Sequence, residues 1–277
     1  MFVLAVIFID ESHRPTLLVY KAQRLRITTG NWALHARHEE MDVHFSDMAN
    51  KYLRRPFLLM STPICFLVAL YASFVYGIVY LSLSSFSVEF QEVRGWNALV
   101  GNLPFLAVLL GIMIAAGVNI FNNRFYLKKF AANGNKPVPE ARLPPMMIGS
   151  VFFVAGMFIL GWTSPKHIFW LCPIIGAVCL GVGFFTIFQG ALNYLVDTFT
   201  EFAASAIAVN TFLRSIFAGT FPLFATTMYH RMGVPWASSL LGFVGLALIP
   251  IPFVFYRYGP RIRARSKWSR PSAQGHR

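Results

Sequence analysis

Six apolar runs, each long enough to cross a bilayer, follow one another along this chain, separated by short polar connections. They lie near Phe57–Ser84, Ala98–Ile120, Met146–Trp162, Ile168–Gly190, Ala203–Met228 and Trp236–Tyr256. A hydrocarbon core about 30 Å thick takes roughly 20 residues at the helical rise of about 1.5 Å per residue. No water is available there to satisfy amides and carbonyls, so such a run must close its hydrogen bonds within itself, as a helix. The pattern predicts an all-α integral membrane protein with a six-helix transmembrane bundle. Met1–Ile9 is also apolar, but it is too short to span and lacks the basic leader and small-residue cleavage site of a signal peptide. It reads as the cytosolic end of an earlier helix. Thr16–Ile27 interleaves Leu17, Leu18, Leu25 and Ile27 with Lys21, Arg24 and Arg26, which suits a basic helix lying on a membrane surface and equally a solvated loop helix. A second such helix is expected from Asp42 to Arg55, ended by Pro56. The domains expected are a cytosolic segment 1–56, a helical bundle 57–257 and a basic tail 258–277.

Charge orients the bundle. The net charge is +13, which in a soluble protein would raise the question of nucleic acid. Position settles it. Of the 24 Lys and Arg, eight precede the first span, five lie between the second and third, and seven follow Tyr256. The opposite side holds only Arg94, Lys166 and Arg231. The positive-inside rule then places the leading segment, the Asn122–Pro145 loop and the tail in the cytosol, and Phe86–Gly95 outside. Anionic inner-leaflet lipid is the partner this tail suits, and nucleic acid is not expected.

No catalytic constellation is present. The seven histidines all lie outside the span interiors, and the expected spans carry no carboxylate. Metal-dependent or carboxylate-based chemistry within the bilayer therefore has no donors to use. The His35, His38, Glu39, Glu40 group has metal-binding residue types but no second pair. No metal or cofactor is expected. Cys65, Cys172 and Cys179 fall within spans without metal or redox spacing and are read as packing.

The remaining basic residue, Arg214, sits about halfway along the fifth span. A guanidinium there costs at least ~2.5 kcal/mol on insertion scales, so it must face a bundle interior or a wet cavity. Asn210 lies one turn earlier. Two readings stand: a structural anchor between helices, or a substrate-facing group. In the first span Ser73, Tyr76, Tyr80 and Ser84 share a helical face, as a pocket for bulky, partly polar molecules would require, and as helix packing would also allow. Gly176, Gly181 and Gly183 in the fourth span permit close helix approach, with Gln189 and Asn193 beyond them.

Lined up, several strings resemble one family. They include Glu11-Ser12-His13-Arg14-Pro15, Lys21-Ala22-Gln23-Arg24-Leu25-Arg26 and Thr29-Gly30-Asn31-Trp32. Leu70-Tyr71-Ala72-Ser73-Phe74-Val75-Tyr76-Gly77 and Pro139-Glu140-Ala141-Arg142-Leu143-Pro144 follow in order. Then come Asn193-Tyr194-Leu195-Val196-Asp197 through Arg214-Ser215, and Gly233-Val234-Pro235-Trp236-Ala237 through Tyr256-Arg257-Tyr258-Gly259. This order resembles the central linker and second half of fungal major facilitator superfamily transporters of the twelve-span drug:proton antiporter branch, which includes polyamine exporters. A weaker echo of that superfamily's cytosolic signature remains in Asn123-Arg124 with Lys128-Lys129, and Asp10-Glu11-Ser12-His13 departs from the branch's usual Pro-Glu-Thr-Tyr.

The resemblance implies one half of a facilitator, built from two inverted three-helix repeats. The first, second, fourth and fifth spans would line a central cavity, with Ser73, Tyr76, Tyr80, Gln189, Asn210 and Arg214 as cavity candidates. It implies efflux of small organic compounds, drugs or polyamines, at the plasma membrane or, second, the vacuole. The expected partners are the substrate, the bilayer, and a missing N-terminal half or a second copy. Proton coupling would need a carboxylate supplied by that other half. A non-transporting membrane scaffold is the remaining alternative.

The topology is directly testable. In a cysteine-free background, Gly134→Cys is expected to resist an impermeant thiol reagent in intact cells and to react once the membrane is opened; labelling in intact cells would reverse the orientation.

Overall fold

A computed structural model describes residues 14–36, 39 and 54–265. Among these every regular element is helical. The chain divides into two units, Met1–Arg54 and Arg55–Arg277.

In the first unit, helix α1 spans Arg14–Thr29, close to the range expected for a basic helix, with Leu17, Leu18, Leu25 and Ile27 exposed. Gly30 ends it at φ +66°, a conformation that costs glycine nothing. Arg26 folds the following turn back, donating to the Leu34 carbonyl and pairing with Glu39. Glu39 is thereby engaged and His35 contacts the Ala33 carbonyl, while His38, Glu40 and most of the helix expected over 42–55 lie outside the described residues.

The second unit carries α2 (Arg55–Met60), α3 (Pro63–Phe86), α4 (Ala98–Gly101), α5 (Pro104–Ala132), α6 (Pro144–Trp162), α7 (Leu171–Thr198), α8 (Ala203–Leu248) and α9 (Pro250–Arg265). Five stretches are long and apolar enough to cross a membrane, and the last of them, Ala203–Arg263, covers 61 residues. That stretch is two passes. Gly233 interrupts α8 at φ +76°, ψ 157°. Before it, Phe212 meets Phe57, Phe217 meets Phe74 and His230 meets Glu92, so this part runs parallel to α3. After it, Trp236 meets Trp162, Phe243 meets Phe158 and Arg263 meets Glu140, so the chain now runs antiparallel to α6. The six-span bundle is present, with its last hairpin hidden inside one helix.

The span ends differ from those read off hydropathy. Past Phe86 the chain continues as a π-helical turn, Ser87–Val93, and buries Val88, Glu89 and Phe90. The stretch expected as an external loop is thus mostly helix, with Gly95 at φ +75° ending the excursion. α5 runs on to Ala132 and α7 to Thr198, so the expected Asn122–Pro145 loop is helical in its first half. A helix ends where its backbone hydrogen bonds end, not where apolarity does, and polar residues extend it into the aqueous layer.

Packing is densest around α7. A Cβ on Gly176 would come within 2.8 Å of the Leu160 amide nitrogen on α6, and one on Gly156 within 2.7 Å of the Leu180 nitrogen on α7. On α7's other side, Gly181 and Gly111 of α5 press against the backbones of Val108 and Val178. Lipid gives apolar helices no hydrophobic reason to associate, so such backbone contact supplies dispersion and close-range packing instead. By contrast, α5 exposes Leu106, Leu109, Leu110, Met113 and Ile114, and α8 exposes Phe212, Ile216 and Leu223.

Gly176→Leu should therefore lower the melting temperature of the purified chain in detergent, since overpacking costs about 1–3 kcal/mol or more. Gly117→Ala, where a Cβ meets nothing, should leave it unchanged or raise it, as Ala favours a helix over Gly by about 1 kcal/mol. Equal effects of the two would remove the seam's importance.

Candidate functional site

Arg214 projects from α8 against an aromatic surface built by two other helices. Its guanidinium carbon lies 4.7 Å from the Tyr76 ring centre on α3 and 5.3 Å from that of Phe188 on α7. Phe184 and Phe188, one helical turn apart, stack at 6.0 Å, and both lie 5.9 Å from Tyr76. Tyr80, one turn beyond Tyr76, stacks on it at 5.0 Å, and the two hydroxyls are 3.3 Å apart. The i, i+4 spacing on both helices is what brings these rings onto one face.

Each cation–π contact contributes about 0.5–2 kcal/mol, so two together match the lower insertion cost of about 2.5 kcal/mol for the charge. Arg214 needs no carboxylate to stay, and among the described residues it makes no ion pair. Its charge is left facing outward from the cage. Arg214 and Tyr76 are half-buried, and Tyr80 is exposed.

The other sequence candidates fall elsewhere. Ser73 and Asn210 are fully buried one turn from Tyr76 and Arg214, and their side-chain polar atoms have no hydrogen-bond partner. They sit within the packed bundle, not on the open face. Gln189 is half-buried and follows Phe188, so it points about 100° around α7 from the cage. The side chain of Ser84 lies outside the described residues. Phe184 and Phe188 were not anticipated, because in a chain with 28 Phe an i, i+4 pair carries little signal.

The expectation that the spans hold no carboxylate is corrected. Glu89 lies in the Pro63–Val93 span with 0% exposure, and both carboxyl oxygens lack a partner. It escaped notice because Ser82, Ser84, Ser85 and Ser87 around it resemble a helix exit.

Charge clusters close both ends of the bundle. At the end read as cytosolic, Arg142 donates to Asp197 at 3.1 Å and to Asn123 at 3.1 Å, with its guanidinium 3.4 Å from the Tyr126 ring centre. Glu140 pairs with Arg263 nearby, tying the 3₁₀ turn Pro139–Arg142 to α9. At the other end Arg94 donates to the carbonyls of Thr163 at 2.7 Å, Ile168 at 3.1 Å and Pro165 at 3.4 Å.

Comparison with known proteins agrees with this architecture. The chain is 52% identical over 272 residues to the efflux pump bik6 of Gibberella fujikuroi, covering 98% of this chain and 56% of that protein. It is 43% identical to the major facilitator superfamily multidrug transporter FLU1 of Candida albicans, over 94% of this chain and 43% of that one. It is 42% identical to the multidrug transporter TPO1_1 of Candida glabrata, over 96% and 47%. The chain thus spans about half the length of the curated relatives it matches. No solved structure matches it significantly. The profile of the Major Facilitator Superfamily matches residues 1–222, and with these relatives it places this multi-pass integral membrane chain in that superfamily.

Proposed function

We propose that the chain forms one half of a transporter that exports small organic compounds by rocking against a second six-helix half, with its substrate held at the Arg214 cage. The observation that carries this is the cage itself: a guanidinium between spans, held by aromatic faces and not by an acid, on the open side of the bundle. Aromatic and hydroxyl groups around one positive charge suit flat, partly polar drugs that are neutral or anionic. They suit a polyamine less, since like charges at close range repel. Relatives named as an efflux pump and multidrug transporters support the export direction. The exposed apolar residues of α5 and α8 form the face that the other half, or a second copy of this chain, would cover. The plasma membrane is the proposed site, with the vacuole second.

Two measurements follow. The 277-residue chain alone in vesicles should give no efflux, because only half of the cavity walls are present; drug efflux from such vesicles would favour a functional homodimer. In a transporter made by joining this chain to the N-terminal half of its 52% identical relative, Arg214→Ala should lower transport strongly while leaving protein level and melting temperature near wild type. Removing the charge eases insertion by up to ~3 kcal/mol, so no folding penalty is expected. Arg214→Lys should recover part of the transport, since Lys keeps the charge but loses the planar face. A melting temperature that falls in proportion to transport would make Arg214 a structural anchor.

A further inference from the structure

Glu89 is the one feature of the bundle that neither the cage nor the end clusters use. It lies in a π-helical turn, where the backbone hydrogen-bond ladder is displaced, a feature concentrated at functional sites. Its carboxyl is fully buried, and neither oxygen has a hydrogen-bond partner. An ionised carboxylate so placed is costly by several kcal/mol unless a proton or a cation neutralises it. Intramembrane carboxylates of this kind mark proton pathways.

The groups around it supply both alternatives. Arg94 follows on the same segment, and its amide donates to the Glu89 carbonyl at 3.0 Å. Its guanidinium, however, is turned away to the carbonyls of Thr163, Pro165 and Ile168, and its Nε is buried without a partner. From α8, Tyr229 lies within electrostatic reach of Glu89 and is itself buried beside Ser85 and Ser238. His230, next to it, is committed to Glu92. The short helix α4 brings no titratable group.

We propose that Glu89 is a proton-binding site of this half-bundle, neutral while Arg94 clamps the far loop and ionised when Arg94 lets go and turns to it. In the conformation described, Glu89 keeps its proton and Arg94 is satisfied by carbonyls. When the outer end opens, the Glu89 O–H breaks and its proton passes to water on that side. The carboxylate left behind pairs with the released Arg94 guanidinium. Closing the outer end reverses the exchange. As the coupling step of transport this rests on the reading above; as a proton site it does not.

Infrared difference spectroscopy of the purified full chain in lipid nanodiscs reads the proton without any transport. The wild type should show a protonated carboxyl C=O band that is absent in E89Q, shifts in D₂O and is lost reversibly as pH rises. R94Q should displace that titration to higher pH, since the ionised form loses its counter-cation, whereas a merely structural Arg94 would leave it in place. Because Gln mimics the protonated acid, E89Q should keep the wild-type melting temperature. A band unaffected by pH until the chain unfolds, or no band at all in the wild type, would overturn the site. In the joined transporter, E89Q should reduce pH-driven accumulation to the level of empty vesicles and retain substrate exchange at equal pH. Loss of both, or of neither, would overturn the coupling role. A joined wild-type protein that moves nothing would defeat the transport reading alone, and the infrared titration would still decide for or against the proton site.

Discussion

Helices in lipid gain nothing from hiding apolar surface, and this structure depends on how it meets that constraint. Backbones are brought into contact along both sides of α7, through Gly156, Gly176 and Gly183 toward α6 and through Gly111 and Gly181 toward α5. Contact this close is available only where no side chain stands between the helices. It makes α7 the fixed member against which its neighbours register. Phe184 and Phe188, on the continuation of α7, then have a set position, and so does anything that packs on them.

Arg214 is what packs on them. A charge in this setting needs compensation of a few kcal/mol, and the rings of Tyr76 and Phe188 provide an amount of that order without neutralising it. The cage is therefore both a structural solution and a positively charged, aromatic surface. An acid partner would have stabilised Arg214 equally well and left nothing for a ligand. The charged clusters at the two ends do the opposite: Arg142 with Asp197, Glu140 with Arg263, and Arg94 with three carbonyls are self-satisfied and tie neighbouring helices together. Rocking between two conformations requires such ties to be exchangeable, and polar contacts near water are exchangeable where glycine seams are not.

Much of this was legible in the sequence. Apolar runs located the six spans, and the Gly233-Val234-Pro235 break separated the last two even though one helix runs across it. Arg214, Tyr76 and Tyr80 could be singled out because a charge and hydroxyls are conspicuous in an apolar run. Phe184 and Phe188 were not, since ring contacts across helices leave no trace in a phenylalanine-rich sequence. Ser73 and Asn210 look equivalent to their neighbours by spacing, yet face the packed interior, because spacing fixes relative direction on one helix and not what stands opposite. Glu89 was hidden by the serines that surround it, which suggest an exit from the membrane where the helix in fact changes pitch and continues.

The central claim is that the Arg214 face lines water and not lipid. Thiol alkylation tests it directly, because only a hydrated cysteine forms the reactive thiolate. In the joined transporter, reconstituted in lipid vesicles, single cysteines at Thr211 and Ser215 beside Arg214 should react quickly with a small water-soluble maleimide. Cysteines at Leu240 and Phe243, exposed on the last span, should stay unreacted. Equal resistance at all four positions would contradict a cavity and leave Arg214 as a buried anchor.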